Sequence, residues 1–312
     1  MNPSLRPAVV LCTHNPRADY LARTLSALSG QTILPAGYDL VLVDNASREP
    51  VAGRFDLSWH PTARVVEEPN QGLTNARMRG ISETAADIIV WVDDDNVLAH
   101  DYLAQAIALA RDWPILGAWG CGHFIPDWET TPEPEFTPYL DYLAVGKRDS
   151  ARWGNRAFDY DAMPAGAGLC CRREVALAYA RSVREDPRRR ALGRTGTGLG
   201  ACEDFDLALH AIDLGLGTGV FPSLSLTHLM PAARVREDYL LRLVEGHARS
   251  TVLLMAMRQP GFRPLAQDWK TKLRDWRLHR RLSPVHRRIH DARRRGEAAA
   301  VRILEGGSPA NA

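Results

Sequence analysis

The chain has 312 residues, of which 45% are hydrophobic, so it can bury one large core or two small ones. Its 39 Lys and Arg residues nearly balance 37 Asp and Glu residues, as in an ordinary soluble globular protein. No apolar run approaches the roughly 18 to 20 residues that cross a bilayer, and the N-terminus lacks a signal-peptide pattern, so we predict a cytoplasmic protein.

Apolar, β-rich segments alternate with helix-like stretches in the first part of the chain. The predicted strands cover residues 8–12, 38–44, 63–66, 87–92 and 115–121. The first helix is expected to start at Asn15 with Pro16 in its first turn, and two more cover about 72–84 and 100–111. Strands that are apolar throughout are buried on both faces. The pattern therefore predicts an α/β fold with a mostly parallel central sheet flanked by helices.

Polar clusters follow four of these strands where each strand ends. They read THN, DNAS, EEPNQG and DDDN in chain order. Open α/β sheets bind ligands beyond the carboxyl ends of their strands. We therefore expect the four clusters to meet along one edge of the sheet.

The second half has a looser pattern. A helix is predicted from about residue 173, then a glycine-rich loop over 193–200, a helix with the sequence EDFDLALHAIDLG, a strand over 219–228 and a helix over about 236–257. Residues 258–312 hold 14 Lys or Arg residues against 5 Asp or Glu residues. The sequence thus predicts a first domain over 1–257 and a basic, helical C-terminal extension over 258–312.

Three adjacent carboxylates, Asp93, Asp94 and Asp95, directly follow a buried strand. They repel one another, so they need a cation or full solvation. Oxygen ligands of this kind suit Mg²⁺ or Mn²⁺ bound together with phosphate oxygens. The plain alternative is a solvated turn that caps the helix near residue 100.

Other acidic residues and one histidine occupy similar positions. Asp44 and His228 each close a strand, and Glu203 and Asp204 open a helix. Singly, each has a structural explanation: an Asx-turn for Asp44, a structural imidazole for His228, and helix-dipole stabilisation for the acidic pair. Together they favour a functional site.

Five motifs in order resemble the inverting, nucleotide-sugar-dependent glycosyltransferases of family 2, which have the GT-A fold. The resemblance covers about residues 8–230 and rests on VVLCTHNPRADYLARTLSAL, LVLVDNASRE, EEPNQGLTNARMRGI, VWVDDDN and CEDFDLALH. It implies that these motifs form, in turn, the first strand and turn, the base-binding acid, an N-x-G-x-x-x-A-R segment, a D-x-D metal motif and the catalytic base.

The resemblance assigns roles to single residues. It implies that Asp95 and His228 bind the metal ion, and that Asp93 meets the metal, its water shell or the ribose. It implies that Gly166 and Gly168 line the donor-sugar and acceptor side. The expected nucleotide-binding residues are Thr13, Asn15, Asp44, Asn70, Gly72, Arg77, Asp93 and Asp94.

The implied reaction is an inverting sugar transfer from a nucleotide diphosphate, with UDP-sugar as the expected donor and Mn²⁺ or Mg²⁺ as the metal. The expected acceptor is a hydroxyl group of a glycan, of a lipid-linked molecule or of another molecule. The expected process is the synthesis of a polysaccharide, glycolipid or glycoconjugate. By the family motif, Asp204 is the expected base. Glu203 stays the second candidate, because the spacing in the sequence does not show which of the two faces the sugar. One alternative is a sugar-phosphate nucleotidyltransferase, but that class has a glycine-rich phosphate turn after the first strand, and the segment CTHNPRAD contains no glycine. The other is a non-catalytic module that binds nucleotide-sugar or glycan.

The basic tail interleaves Lys and Arg with Trp269, Leu273, Trp276, Leu278 and Ile289. This pattern fits peripheral contact with the inner face of an anionic membrane, and equally a solvated helix that packs its aromatics on the protein. No nucleic-acid-binding module accompanies the tail, so nucleic acid is not an expected partner.

Overall fold

The computed structural model describes residues 5–196, 198–264 and 268–306. Its contacts divide the chain into two compact units. The first comprises the chain up to Trp128, together with Ala144–Arg190 and Glu203–Met230. The second comprises Glu129–Leu143, Ala191–Cys202 and the chain from Pro231 onward.

The first unit is built on a sheet of ten strands within the described residues. The strands are β1 Pro7–Thr13, β2 Asp39–Asp44, β3 Arg64–Glu67, β4 Ile88–Asp93, β5 Asn96–Leu98, β6 Leu116–Trp128, β7 Gly146–Lys147, β8 Arg152–Gly154, β9 Cys170–Arg172 and β10 Gly217–Met230. The main order is β3-β2-β1-β4-β9-β6-β10-β5. β1 to β4 pair in parallel, β9 is antiparallel to both its neighbours, and β6 pairs in parallel with β10. The predicted α/β architecture with a mostly parallel sheet is confirmed.

Helices cover both faces of this sheet, which explains why its central strands are apolar throughout. Those of the first unit are α1 Ala18–Ser29, α2 Leu73–Ser82, α3 Tyr102–Asp112, α4 Arg173–Glu185 and α5 Glu203–Asp213. Val9 and Leu11 of β1 join α1 and α3 in one core cluster. Val10, between them, faces the other side, where Gly80 of α2 lies so close that an added Cβ would come within 2.3 Å of its Cγ1.

The first helix begins three residues later than the sequence predicted. Asn15 adopts a left-handed conformation with φ of 50° and therefore cannot open the helix. Its backbone N–H donates to the Ser47 hydroxyl, and its side-chain oxygen accepts from the N–H of Arg48. The residue thus joins two loops, and α1 starts at Ala18.

The second unit is helical. It contains α6 Glu237–Arg258, α7 Trp269–His279 and α8 Pro284–Leu304. α8 packs closely on α6, because Gly296 of α8 lies where an added Cβ would be 2.1 Å from the carbonyl oxygen of Glu245. Arg295 pairs with Glu245 across the same contact at 2.9 Å. The boundary predicted near residue 258 stays a prediction.

None of the helices in the described part of the chain combines the length and apolar character that crossing a membrane requires.

Candidate active site

The loops that follow β1, β2 and β3 are joined by one buried side chain, Asn45. Its backbone N–H donates to the carbonyl of Thr13, and its side-chain NH₂ donates to the carbonyls of Glu68 and Asn70 at 3.0 and 2.8 Å. Its side-chain oxygen accepts from the N–H of Gly72 at 2.7 Å. The Thr13 hydroxyl in turn donates to Asp94 of the fourth cluster, so the four polar clusters meet along one edge of the sheet, as expected.

Asp44 is turned into its own loop. One carboxylate oxygen accepts from the N–H of Ser47 at 3.2 Å and the other from the N–H of Val51 at 2.8 Å. The side chain is buried, with 4% exposure. This is the Asx-turn geometry that the sequence left open, and it holds the loop after β2 in place. The contact of Asp44 with a nucleobase stays a prediction.

Asn70 and Gly72 form the start of the segment that leads into α2. Asn70 is exposed, and its side chain donates to Glu68. Gly72 has φ of 138°, a conformation that residues with a side chain rarely adopt, so glycine is required there.

The three adjacent aspartates have separate surroundings. The carboxylate of Asp94 accepts a hydrogen bond from the Thr13 hydroxyl. Asp95 is 5% exposed, and its Oδ1 accepts from the side chain of Asn96 at 2.8 Å. The backbone N–H of Asp93 donates to the side-chain oxygen of Asn96 at 3.2 Å. The carboxylates of Asp94 and Asp95 thus accept hydrogen bonds from different neighbours.

A short antiparallel pairing brings a distant histidine to this motif. β5 pairs with β10 in a register that sets Asn96 opposite His228, and the N–H of Leu229 donates to the carbonyl of Asp95. The imidazole Nε2 of His228 lies 3.5 Å from Oδ1 of Asp95, and both side chains are buried. The structure thus brings these two predicted metal ligands together.

The donor atoms of this pair suit a metal ion. Nδ1 of His228 lies 3.2 Å from the carbonyl oxygen of Ala144, and a carbonyl only accepts, so Nδ1 carries the proton. Nε2 therefore presents a lone pair toward a carboxylate oxygen, an arrangement that needs a proton or a cation between the two atoms. A histidine oriented by a carbonyl on its other nitrogen is typical of metal ligands.

Asp93 does not complete a compact three-residue metal group. Within the residues that the structure describes, the only His, Cys, Asp or Glu group of three with all ligand atoms within 4.8 Å of one another is His279, His290 and Asp291 in the second unit. A metal ion at Asp95 and His228 would thus need further ligands, for which phosphate oxygens and water are the usual choice. Direct ligation by Asp93 stays a prediction.

A buried arginine neutralises the acidic start of α5. Arg77 of α2 is 1% exposed, and its Nη1 lies 3.2 Å from Oε1 of Glu203. Burial lowers the pKa of Arg77, but the carboxylates of Glu203, Asp93 and Asp204 outweigh it and raise that pKa above its ordinary value. The guanidinium also lies over the ring of Trp91, with 5.4 Å from its carbon to the ring centroid. Contact between Arg77 and the nucleotide stays a prediction.

The two acidic residues of α5 differ in their surroundings. Glu203 is 4% exposed, and burial raises its pKa from 4.5 to about 7 in spite of the opposing charge of Arg77. Asp204 is partly exposed, and its Oδ2 accepts from the N–H of Gly166 at 2.7 Å. Asp204 is therefore the carboxylate of this pair that solvent or a substrate can reach.

Only one of the two predicted glycines lies at this acidic pair. A Cβ added to Gly166 would be 2.8 Å from Nη2 of Arg77 and 3.1 Å from Oδ2 of Asp204. Gly168, with φ of +73°, instead packs against the buried Tyr102, whose hydroxyl donates to its carbonyl at 2.6 Å. Packing is thus sufficient to explain the glycine at 168, and its role beside a sugar stays a prediction.

The glycine-rich segment belongs to the second unit, and Thr197 lies outside the described residues. Its C-terminal part is fixed on α6. An added Cβ at Gly246 would be 2.1 Å from the carbonyl oxygen of Leu199, and the N–H of Ala201 lies 3.3 Å from the Ser250 hydroxyl. The prediction that the segment closes over a donor remains a prediction.

Two site residues escaped the sequence reasoning. Asn45 holds three loops together, and Asn96 contacts both Asp93 and Asp95. Each directly follows an aspartate motif at the end of a strand, and this position is the feature of the sequence that could have pointed to them. An asparagine is as common in exposed turns as in such buried networks, and the sequence does not separate the two.

Three comparisons with known proteins bear on this geometry. Residues 8–149 match the sequence profile described as Glycosyl transferase family 2. That segment belongs to glycosyltransferase family 2. It contains the motifs from Thr13 to Asp95, whereas Gly166, Glu203, Asp204 and His228 lie beyond the matched residues.

Two curated proteins resemble part of this chain. One is an uncharacterized glycosyltransferase, YwdF, of Bacillus subtilis (strain 168), 30% identical over 101 residues, which make up 32% of this chain and 37% of that protein. The other is the glycosyltransferase AglE of Haloferax volcanii, 26% identical over 104 residues, or 32% of this chain and 34% of that protein. The matches therefore span about a third of each relative.

A solved structure confirms the expected GT-A fold. The chain superposes on a crystal structure of GalNAc-T7 with UDP, GalNAc and Mn²⁺, with a TM-score of 0.51 and 17% sequence identity. The superposition covers 98% of this chain and 58% of the other. The chain thus has the GT-A fold.

The raised pKa of Glu203 predicts a pH-dependent stability. A carboxyl that binds its proton more tightly when folded contributes stability below pH 4.5 and loses it as the pH rises toward about 7. We expect Glu203→Gln, which cannot lose a proton, to become more stable relative to wild type across this interval. Urea unfolding at a series of pH values measures the difference.

The matched control is Glu49→Gln, since the Glu49 side chain is 82% exposed. It is unfolded with urea over the same pH series as the exposed comparison. A stability difference between Glu203→Gln and wild type that does not change with pH would contradict the assigned cause.

Proposed function

We propose that the protein is a metal-dependent inverting glycosyltransferase that moves a sugar from a nucleotide diphosphate to an acceptor hydroxyl. The observation that carries the proposal is the joint position of three groups at one sheet edge. These are the loops held by Asn45, the pair of Asp95 and His228, and the acidic pair beside Arg77. The family 2 match of residues 8–149 supports the same reaction class.

Asp95 and His228 would hold the divalent ion. When bound, a Mn²⁺ or Mg²⁺ ion acts as a Lewis acid that stabilises negative charge on the departing diphosphate. Asn96 donates to Asp95 and fixes its carboxylate, and the carbonyl of Ala144 fixes the tautomer of His228. A nitrogen ligand beside an oxygen ligand favours Mn²⁺ over Mg²⁺.

Asp204 would act as the general base. In the reaction, the acceptor oxygen forms a bond to the anomeric carbon while the bond from that carbon to the diphosphate oxygen breaks. The acceptor hydroxyl proton passes to the Asp204 carboxylate, and direct displacement inverts the anomeric centre. The Gly166 N–H orients this carboxylate, and Arg77 keeps the neighbouring Glu203 engaged.

The donor is proposed to be a UDP-sugar. The structurally similar GalNAc-T7 was crystallised with UDP and Mn²⁺, and the family resemblance assigns the base contact to Thr13 and Asp44. Incubation with UDP-, GDP- and dTDP-sugars, with and without Mn²⁺, tests the class. Release of nucleoside diphosphate indicates transfer or hydrolysis, and binding without turnover indicates a non-catalytic module. A parallel incubation with nucleoside triphosphates and sugar phosphates tests the nucleotidyltransferase alternative, which would release pyrophosphate.

The substitution Asp204→Asn tests the base. The amide keeps the shape of the side chain but cannot take a proton, so we expect kcat to fall roughly 100- to 10,000-fold. The dissociation constant for UDP with Mn²⁺ should stay within about threefold of wild type, because an effect on the chemical step alone leaves binding intact. Product release measures kcat, and calorimetry measures binding.

Asp213→Asn, an exposed position on the same helix, is the control and should keep wild-type kcat. Wild-type turnover by Asp204→Asn would show that Asp204 is not the base, and Glu203→Gln would then be assayed in its place.

We also propose that α7 contacts an anionic membrane surface. Its four large apolar side chains are exposed: Trp269 by 68%, Leu273 by 37%, Trp276 by 56% and Leu278 by 39%. The Arg280 guanidinium lies over the Trp276 ring, and further Lys and Arg residues separate the apolar ones, so charge and apolar surface both suit anionic lipid. Ile289, which the sequence placed in the same set, is instead buried in α8.

Sedimentation with vesicles that contain phosphatidylserine tests this contact. The double substitution of Trp269 and Trp276 by alanine should lower the bound fraction several-fold, since each indole buries a large apolar area at an interface. Leu34→Ala, which removes a side chain that is 77% exposed in the first unit, should bind as wild type. Equal binding by the double variant and wild type would overturn the contact.

A further inference from the structure

Two histidines and an aspartate meet where the last two helices come together. His279 is the final residue of α7, and His290 and Asp291 lie in the second and third turns of α8. All three belong to the second unit, and neither the sequence motifs nor the proposed reaction uses them. We propose that they form a zinc site that fastens α7 to α8.

The distances between the three ligand atoms fit a tetrahedral ion. Nε2 of His279 lies 3.1 Å from Nδ1 of His290 and 3.1 Å from Oδ1 of Asp291, and the latter two atoms are 3.8 Å apart. With zinc–ligand bonds of about 2.0 to 2.1 Å, two ligand atoms of a tetrahedral site are separated by about 3.3 to 3.4 Å. The three atoms thus form one face of such a site, and water takes the fourth position.

The donor set selects the metal. Two imidazole nitrogens with one carboxylate oxygen suit Zn²⁺, whereas Mg²⁺ and Ca²⁺ prefer oxygen ligands alone. Nε2 of His279 faces both Nδ1 of His290 and a carboxylate oxygen of Asp291, and an ion at their centre would contact all three atoms at once. Side-chain exposures of 29% for His279, 17% for His290 and 49% for Asp291 leave the site open to an ion from solvent.

A further carboxylate stands behind the second histidine. Oδ1 of Asp275 lies 3.6 Å from Nε2 of His290, the nitrogen that the ion does not use. Asp275 is itself held by Arg294 at 2.7 Å. A carboxylate on the outer nitrogen of a histidine is the arrangement that orients ligands in zinc sites.

The consequence of zinc binding is mechanical. α8 is already attached to α6 through the Arg288–Glu237 and Arg295–Glu245 pairs. α7 is joined to α8 by the Asp275–Arg294 pair and by the histidine cluster. An ion that links the last residue of α7 to α8 therefore fixes the helix that exposes Trp269 and Trp276.

Calorimetric titration of the metal-free, full-length protein with Zn²⁺ alone tests the site. The His228→Ala background removes the ligand proposed for the other metal, so the remaining binding reports on the second unit. We expect one equivalent to bind there, and His279→Ala or His290→Ala to weaken its affinity at least tenfold. Hydrogen exchange in α7 should slow on addition of Zn²⁺ only when the cluster is intact.

His286→Ala is the matched control, because it removes a histidine of α8 that contacts Ser283 and Tyr139 instead of the cluster. It should bind Zn²⁺ as the background does. Asp291→Asn, at the most exposed of the three positions, serves where an alanine variant fails to fold, and it too should weaken binding at least tenfold. Unchanged zinc affinity in folded variants of the cluster would overturn the proposal and would leave the sugar-transfer proposal untouched.

Discussion

The crowding of carboxylates at one edge of the sheet is the constraint on which the rest of the site depends. Asp93, Asp94, Asp95, Glu203 and Asp204 all lie in the two motifs that end β4 and begin α5. Asp95 and Glu203 are buried, and buried negative charges need compensation. Arg77 supplies a permanent positive charge and is buried beside Glu203, so it compensates negative charge at the start of α5. Thr13 and Asn96 supply hydrogen bonds to Asp94 and Asp95. The Asp95 carboxylate also faces the imidazole of His228, and these two side chains are the proposed ligands of the divalent ion.

The two acidic centres differ in a way that suits separate tasks. Arg77 and Glu203 form a closed, buried pair that keeps α2 against α5, whereas Asp204 beside them stays within reach of solvent. Gly166 leaves room for both side chains, because a Cβ added there would lie 2.8 Å from Nη2 of Arg77 and 3.1 Å from Oδ2 of Asp204. Asp204, the proposed proton acceptor, thus lies next to a fixed ion pair, and a backbone N–H orients its carboxylate.

Much of this arrangement could be predicted from the sequence, for a physical reason. Runs such as IIVWV are apolar throughout because helices cover both faces of the sheet, and parallel strands necessarily bring their carboxyl ends to one edge. The pairing of β5 with β10 could not be predicted, since β5 has only three residues and its partner lies about 130 residues away in the chain. The family resemblance pointed to His228, but the strand register that sets it opposite Asn96 depends on tertiary structure. The late start of α1 and the packing of Gly168 on Tyr102 escaped prediction similarly, because both depend on contacts with distant loops and helices.

Calorimetric titration with UDP, in the presence and absence of Mn²⁺, tests the account most directly. If Asp95 and His228 hold an ion against the diphosphate, Mn²⁺ raises the UDP affinity of the wild type at least tenfold and has little effect on that of His228→Ala. His100→Ala, which changes an exposed histidine of the same unit, keeps the full effect of Mn²⁺. An equal gain in UDP affinity on addition of Mn²⁺ in wild type and His228→Ala would contradict the claim that this histidine and Asp95 share the ion.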